Sequence, residues 1–207
     1  EFFRLVFRNV TQPFEIIVIQ IIEPKTERLQ LRQWIASDRE AFAAMSANSQ
    51  VMEFFPKTLN RLESDAVVDS CERAIAERGW GVWAVKLIET NEFIGIAGLN
   101  IPSADLPTSP CVEVLWRLVP SQWGRGLATE SASAALQVGF DQIGLKEIVA
   151  FVVPSNTKSR AVMERLNLSD TGETFEHPEL PQSSHLRTHC VYTICRETWA
   201  NKAGLGE

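Results

Sequence analysis

A chain of 207 residues with 45 % hydrophobic and 22 % charged side chains reads as one ordinary soluble domain, long enough to bury a substantial core. A formal net charge of −6 and a pI near 5.2 exclude a basic stripe for nucleic acid, and no apolar run is long enough to span a membrane. The four cysteines, Cys71, Cys111, Cys190 and Cys195, form no C-x-x-C pair and no dense framework, which points to a reducing, cytoplasmic setting.

Residues 1–23 stand apart as an N-terminal arm. The patch from Phe14 to Ile22 is interrupted by Glu15 and Gln20, and it makes a poor signal peptide because only Arg4 and Arg8 precede it and no small-residue cleavage site follows. It is rich in Ile and Val, which predicts a strand. With Phe2 and Phe3 the arm carries more apolar groups than a monomer leaves in water, so we expect it to pair with a sheet edge, in its own domain or in a homodimer.

Pro24 ends the arm, and Thr26 to Trp34 alternates through Leu29 and Leu31 as a strand does. Ser37 with Glu40 three residues on predicts a capped helix through Met45. Asn60 and Glu63 form a second capping signal, after which Leu62, Ala66, Val67, Cys71, Ala74 and Ile75 trace one helical face ended by Gly79. Trp80 to Ile88 and Phe93 to Leu99 read as a hairpin around Thr90-Asn91. A loop holding Pro102, Pro107 and Pro110 follows.

Cys111 to Glu130 reads as strand, tight turn and helix, the arrangement that offers unpaired backbone N–H groups to a phosphate. Gly124 and Gly126 let the backbone approach such a group, and Arg125 adds a cation. Small residues at Ala128, Ala132, Ala135 and Gly139 let the helix sit close to a sheet. Glu147 to Val153 is a strand buried on both faces; Pro154 ends it, and Ser155 or Asn156 caps a helix through Leu166. Thr171 to Phe175 and Cys190 to Cys195 are two final strands. The pattern is mixed α/β, with one domain over 24–200 and a tail at 201–207.

No lysine follows either glycine of the loop, as a P-loop requires, and Thr129 stands where a dinucleotide fingerprint needs its third glycine. Trp123-Gly-Arg-Gly126-Leu-Ala128, after Leu118-Val-Pro120, resembles the R/Q-x-x-G-x-G/A acetyl-CoA signature of the GNAT superfamily of N-acetyltransferases. Tryptophan in its first position is similar to the W-G-x-G-[YL]-A-T-E form of the ribosomal-protein N-terminal acetyltransferases. Asn156, Ser159, Met163, Glu164, Arg165 and Leu168 resemble the family's N-x-x-S-x-x-x-[YLM]-E-x-x-G-F segment, with Asn167 replacing the glycine. The resemblance covers roughly residues 26 to 199.

It implies a GNAT-like fold, a mostly antiparallel twisted sheet with a splayed parallel pair at about 111–119 and 147–153. It implies acetyl-CoA as acyl donor, held by Leu118, Val119, Trp123, Gly124, Arg125, Gly126, Leu127, Ala128, Thr129, Asn156 and Ser159. The thioester carbonyl would be polarised by the backbone N–H of Leu118 or Val119. By the same analogy Phe54, Phe55, Phe175 and His177 line the acceptor pocket, although Phe54 and Phe55 also read as plain core.

Transfer to a primary amine needs a base, and Glu113 is the candidate, ten residues before Trp123 on the central strand. The alternative is a structural pair with Arg117, although residues four apart on a strand are separated by roughly 13 Å. For the acid, relatives use a tyrosine where this chain has Met163; Tyr192, Ser159 or water remain. His177, His185, His189 and Cys190 match no zinc spacing, and no metal is expected. The resulting expectation is an acetyl-CoA-dependent N-acetyltransferase acting on a primary amine such as a protein N-terminus, with a small-molecule amine (a polyamine or aminoglycoside) as an alternative acceptor. The alternative is an acyl-CoA-binding module without turnover.

Overall fold

The computed structural model describes residues 19–202. Seven strands and five α-helices follow in the order β1 (Leu29–Arg32), α1 (Asp38–Ala47), α2 (Arg61–Arg78), β2 (Val82–Leu87), β3 (Phe93–Asn100), β4 (Glu113–Leu118), α3 (Leu127–Gln137), β5 (Glu147–Val152), α4 (Thr157–Arg165), β6 (Ser169–Glu176), β7 (Thr188–Cys195) and α5 (Arg196–Lys202). Among them no helix is long and apolar enough to cross a membrane, and all four cysteines are free thiols.

The local signals were obeyed unevenly. Asn60 and Glu63 close a reciprocal capping box at the start of α2, and Gly79 ends that helix in the left-handed region at φ 82°. Ser37 stands at the N-cap of α1 but is itself helical and makes no capping bond. Asp38 instead ties down the turn before the helix, its carboxylate accepting from the Ile35 N–H at 2.9 Å and from Arg32 at 2.6 and 2.8 Å. The expected face of α2 is also rotated: Ser64, Val68 and Ile75 are buried, whereas Leu62 is 80 % exposed. Of the strand expected over 14–22, residues 14–18 lie outside the described residues, and Ile19 to Ile22 run irregularly, docked by Ile22 N–H on Gly79 O at 2.8 Å.

The sheet order is β1-β2-β3-β4-β5-β7-β6, antiparallel except for β4 and β5. The parallel pair is joined at one register position, Glu113 opposite Val149, supported by Val149 N–H on Val112 O at 3.0 Å. Beyond it the strands part toward their C-terminal ends. A parallel ladder left unmade exposes backbone donors and acceptors to whatever fills the gap. The expected splayed pair is therefore present, and the rest of the sheet is organised around it.

One face of the sheet is covered by α3. Ala132 and Ala135 are fully buried there, and Gly139 comes so close to β5 that a Cβ would stand 2.5 Å from Ile148 Cδ1. The other face, on the β1–β4 half, carries α1 and α2. There Trp34 and Phe42 meet edge to face at 5.2 Å over the core.

Candidate active site

The β4–α3 connection begins with a 3₁₀ turn, Pro120–Gln122, and continues through Gly124 and Gly126, both left-handed at φ 72° and 77°. An L side chain rarely takes that backbone, which is why glycine is needed there. A Cβ on Gly124 would meet nothing within 4 Å, and one on Gly126 only Arg28 Nη2 at 3.6 Å. The loop is thus an open cradle. No side chain caps α3, so its first-turn N–H groups remain free for an anion.

Side chains fix the cradle from beneath. Trp123 Nε1 donates to Leu118 O at 2.8 Å, and Arg125 Nη1 donates to Gln122 Oε1 at 2.5 Å. Arg28 donates to Arg125 O at 3.1 Å and pairs with Glu130, which also accepts from Thr26. Lys158 of α4 stands 4.6 Å over the Trp123 ring, which sets a cation of that helix beside the loop. Arg28, Glu130 and Lys158 were invisible to sequence reasoning because their roles depend on contacts with residues far away in the chain or on another element. Leu127 is buried in the core, so it serves the loop only through its backbone. Ala128 and Thr129 follow it in the first turn of α3.

Between β3 and β4 the ladder alternates. Val119 N–H donates to Ile94 O at 2.9 Å, and the register then turns the N–H groups of Trp116 and Leu118 toward the gap. Val119 also accepts from Gln122 N–H at 3.0 Å. This corrects the expectation for Val119, whose donor is consumed by the sheet; Leu118 retains a donor facing the splay. At the far side, Asn156 Oδ1 accepts from Ser159 N–H at 3.1 Å and caps α4.

Glu113 stands where the two strands meet. Asn100, directly opposite on β3, donates from Nδ2 to Glu113 Oε1 at 2.7 Å, while Oε2 has no protein partner among the described residues. Burial pushes this carboxyl above the ordinary carboxylate range, and the Asn100 bond opposes that only in part. Arg117 does not pair with it. Its guanidinium lies over Phe55 at 4.8 Å and Phe42 at 5.4 Å and donates to Met52 Sδ at 2.9 Å.

The candidate acids lie elsewhere. Tyr192 is 1 % exposed on β7, and its hydroxyl accepts from Arg160 Nε of α4 at 2.9 Å. Burial raises the phenol and Arg160 opposes it. Met163 is buried. Neither Tyr192 nor Ser159 touches Glu113 among the described contacts.

The pocket residues divide. Phe55, expected in the acceptor pocket with plain core as the other reading, is 42 % exposed on the turn before α2, over Arg117; Phe54 beside it is half-buried. Phe175 is corrected: it is core, buried with Leu106 and Val191 and edge to face with Phe151 at 5.3 Å. His177, just past β6, lies with its ring tilted against His189 at 5.3 Å, with β5 and β7 between β6 and β4. Burial lowers the basicity of His189. Among the described residues no group of three or more His, Cys, Asp or Glu is placed to hold a metal.

Known proteins share this fold. A solved GNAT-family acetyltransferase from Bacillus anthracis superposes with a TM-score of 0.71 at 25 % identity, over 85 % of this chain and 99 % of its own. RimJ of Mycobacterium smegmatis, solved in complex with CoA-disulfide, shares the fold with a TM-score of 0.65 at 22 % identity, over 85 % of this chain and 89 % of its own. The FsC-acetyl coenzyme A-N(2)-transacetylase of Aspergillus fumigatus is 27 % identical over 183 residues, 84 % of this chain and 76 % of that protein. The family model for the acetyltransferase (GNAT) domain matches residues 28–169, which takes in β1, the splay, the glycine loop and α4. The chain belongs to the GNAT family of N-acetyltransferases.

Proposed function

We propose that this enzyme acetylates a primary amine by direct attack, with Glu113 as general base and the open β4–α3 loop as the seat of the CoA pyrophosphate. Glu113 carries the reading: it stands at the point where β4 and β5 part, its raised carboxyl has one oxygen held by Asn100, and the other is free to take a proton. Acetyl-CoA, when bound, supplies a thioester whose carbonyl carbon the amine attacks and whose sulfur leaves with a proton. Gly124, Gly126 and the first turn of α3 fit its diphosphate, because the cradle is open and the helix uncapped. Asn156 can cap α4 through Oδ1 and still offer its amide N–H to the pantetheine arm, with Ser159 beside it. The N–H of Leu118, facing the gap, is the donor for the thioester oxygen.

Water returns the proton to the sulfur in this scheme, since Tyr192 is buried and its hydroxyl lies between Arg160 and Asp170. We assign the acceptor as a protein N-terminal amine, supported by the W-G-x-G-L-A-T-E loop. A small-molecule amine is the second reading, supported by the printed activity of the Aspergillus relative. Free-thiol release from acetyl-CoA, read against N-terminal peptides, polyamines and aminoglycosides, tests both. CoA binding without thiol release from any of them removes the assignment of Glu113.

A further inference from the structure

Arg117 lies on the same strand face as Glu113, because residues i, i+2 and i+4 of a strand share a side. That face is the one covered by the α1–α2 layer, opposite α3, as its contacts with Phe42, Met52 and Phe55 show. A guanidinium in such a place normally meets a carboxylate. Among the described residues none is within ion-pair distance. Of the acidic side chains of α2, Asp65 pairs with Arg61 and both Asp69 and Glu72 with Arg39, each at 2.7 Å. Glu113 is held by Asn100.

What Arg117 does have is two aromatic faces and one sulfur. Stacking between Phe42 and Phe55 uses the faces of the guanidinium and not its in-plane N–H groups, and Met52 Sδ, a weak acceptor, takes only Nη1. Nε is buried with no hydrogen-bond partner among the described residues. The neighbouring Cys71 does not neutralise the charge, because burial pushes its thiol up to about 11. Burial also pushes Arg117 down to about 10, so it is still cationic at neutral pH. An unpaired cation and an orphan donor in one side chain are costly to the fold, and such groups need an explanation beyond stability. The free Nε–Nη2 edge is the side of arginine that takes a carboxylate with two parallel hydrogen bonds. Phe55, 42 % exposed, is the outer cover beside which a ligand would pass.

We infer that Arg117 anchors an acidic group of the acceptor: the enzyme's amine substrate also carries a carboxylate, bound at the Nε–Nη2 edge while the amine lies at Glu113. This rests on the reading of Glu113 as the amine end of the site. Four residues of strand separate the two by roughly 13 Å at Cα. The amine and carboxylate are therefore set apart along the acceptor, as in a peptide with an acidic residue near its N-terminus or in a long ω-amino acid.

The test is calorimetric titration of the full chain loaded with CoA, using matched acceptor pairs. One arm compares short peptides with Asp or Asn at the second or third position; the other compares ω-amino acids of increasing length with their amides. A bidentate, charge-assisted contact is expected to make the acid bind roughly ten- to hundredfold more tightly than its neutral twin in one arm, which also identifies the source of the carboxylate. Arg117→Met should collapse that ratio to about one, and Arg117→Lys, which keeps charge but loses the fork, should retain only part of it. CoA affinity of each variant checks its fold. Equal binding of acid and neutral twins by the wild-type protein in both arms overturns the inference without any variant, as does a preference that survives Arg117→Met. Thiol release is read separately: acid-selective binding without turnover removes Glu113 as base and leaves the anchor, whereas turnover without acid preference removes the anchor alone.

Discussion

Replacing Glu113 by glutamine changes one atom and leaves the Asn100 bond to Oε1 in place, so it isolates the charge. A general base contributes about 10²–10⁴ in rate, and Glu113→Gln is expected to lower kcat on that scale while CoA affinity stays put. Because burial raises the carboxyl, the acidic limb of the wild-type pH profile should lie above the ordinary carboxylate range and vanish in the variant. Stability moves the opposite way. A carboxyl with a folded pKa above its unfolded one binds its proton more tightly in the native state, so stability falls as pH rises through the window between the two. At neutral pH Glu113→Gln should therefore melt no lower than the wild-type protein. A clear drop in melting temperature with kcat retained would return Glu113 to a structural role.

At the scale of the element, the glycine loop and the first helix give paired tests. Gly126 and Gly172 have almost the same left-handed backbone, φ 77° and 75°, and neither has a close neighbour that a Cβ would strike. A valine at either position costs about 1–3 kcal/mol of backbone strain. Only Gly126 lies in the proposed cradle. Gly126→Val should weaken CoA binding by roughly ten- to hundredfold, the loss of one charge-assisted N–H contact, whereas Gly172→Val should match its drop in melting temperature and keep its affinity. For α1, Ser37→Ala should cost little, because that hydroxyl makes no capping bond. Asp38→Ala should cost about 3–5 kcal/mol, since it strips the carboxylate from a largely buried Arg32, and urea unfolding of the two variants reads the difference.

At the scale of the molecule, the arm is expected to form the dimer contact. Removing residues 1–18 leaves the described contacts intact, so light scattering should then show a folded monomer where the full chain is a dimer. A full-length monomer, or a dimer unchanged by truncation, rejects the arm as that contact. Cutting further, to remove 1–23, should destabilise the fold itself. It takes away Ile22 O, the acceptor at 2.8 Å for the indole N–H of the fully buried Trp83, and an orphaned buried donor costs about 1–3 kcal/mol. Melting temperatures of the two truncations separate the roles of the two parts.

Sequence alone determined what is local. The Asn60–Glu63 box, the hairpin at Asn91 and the left-handed glycines of the β4–α3 loop depend on backbone preferences of neighbouring residues, and these can be read in chain order. The family could be read for the same reason, since its signature is one continuous loop. The face of α2 was misjudged because its apolar residues do not decide orientation until β2 and α1 press on it, leaving Leu62 in water and Val68 inside. Phe175, expected in the pocket, is buried instead because Leu106 of a distant loop packs over it, which its own neighbours in sequence do not reveal. Only the tertiary structure could consume the Val119 donor, set Asn100 against Glu113, and leave Arg117 without a carboxylate, since each is a matter of strand register or of packing between elements far apart in the chain.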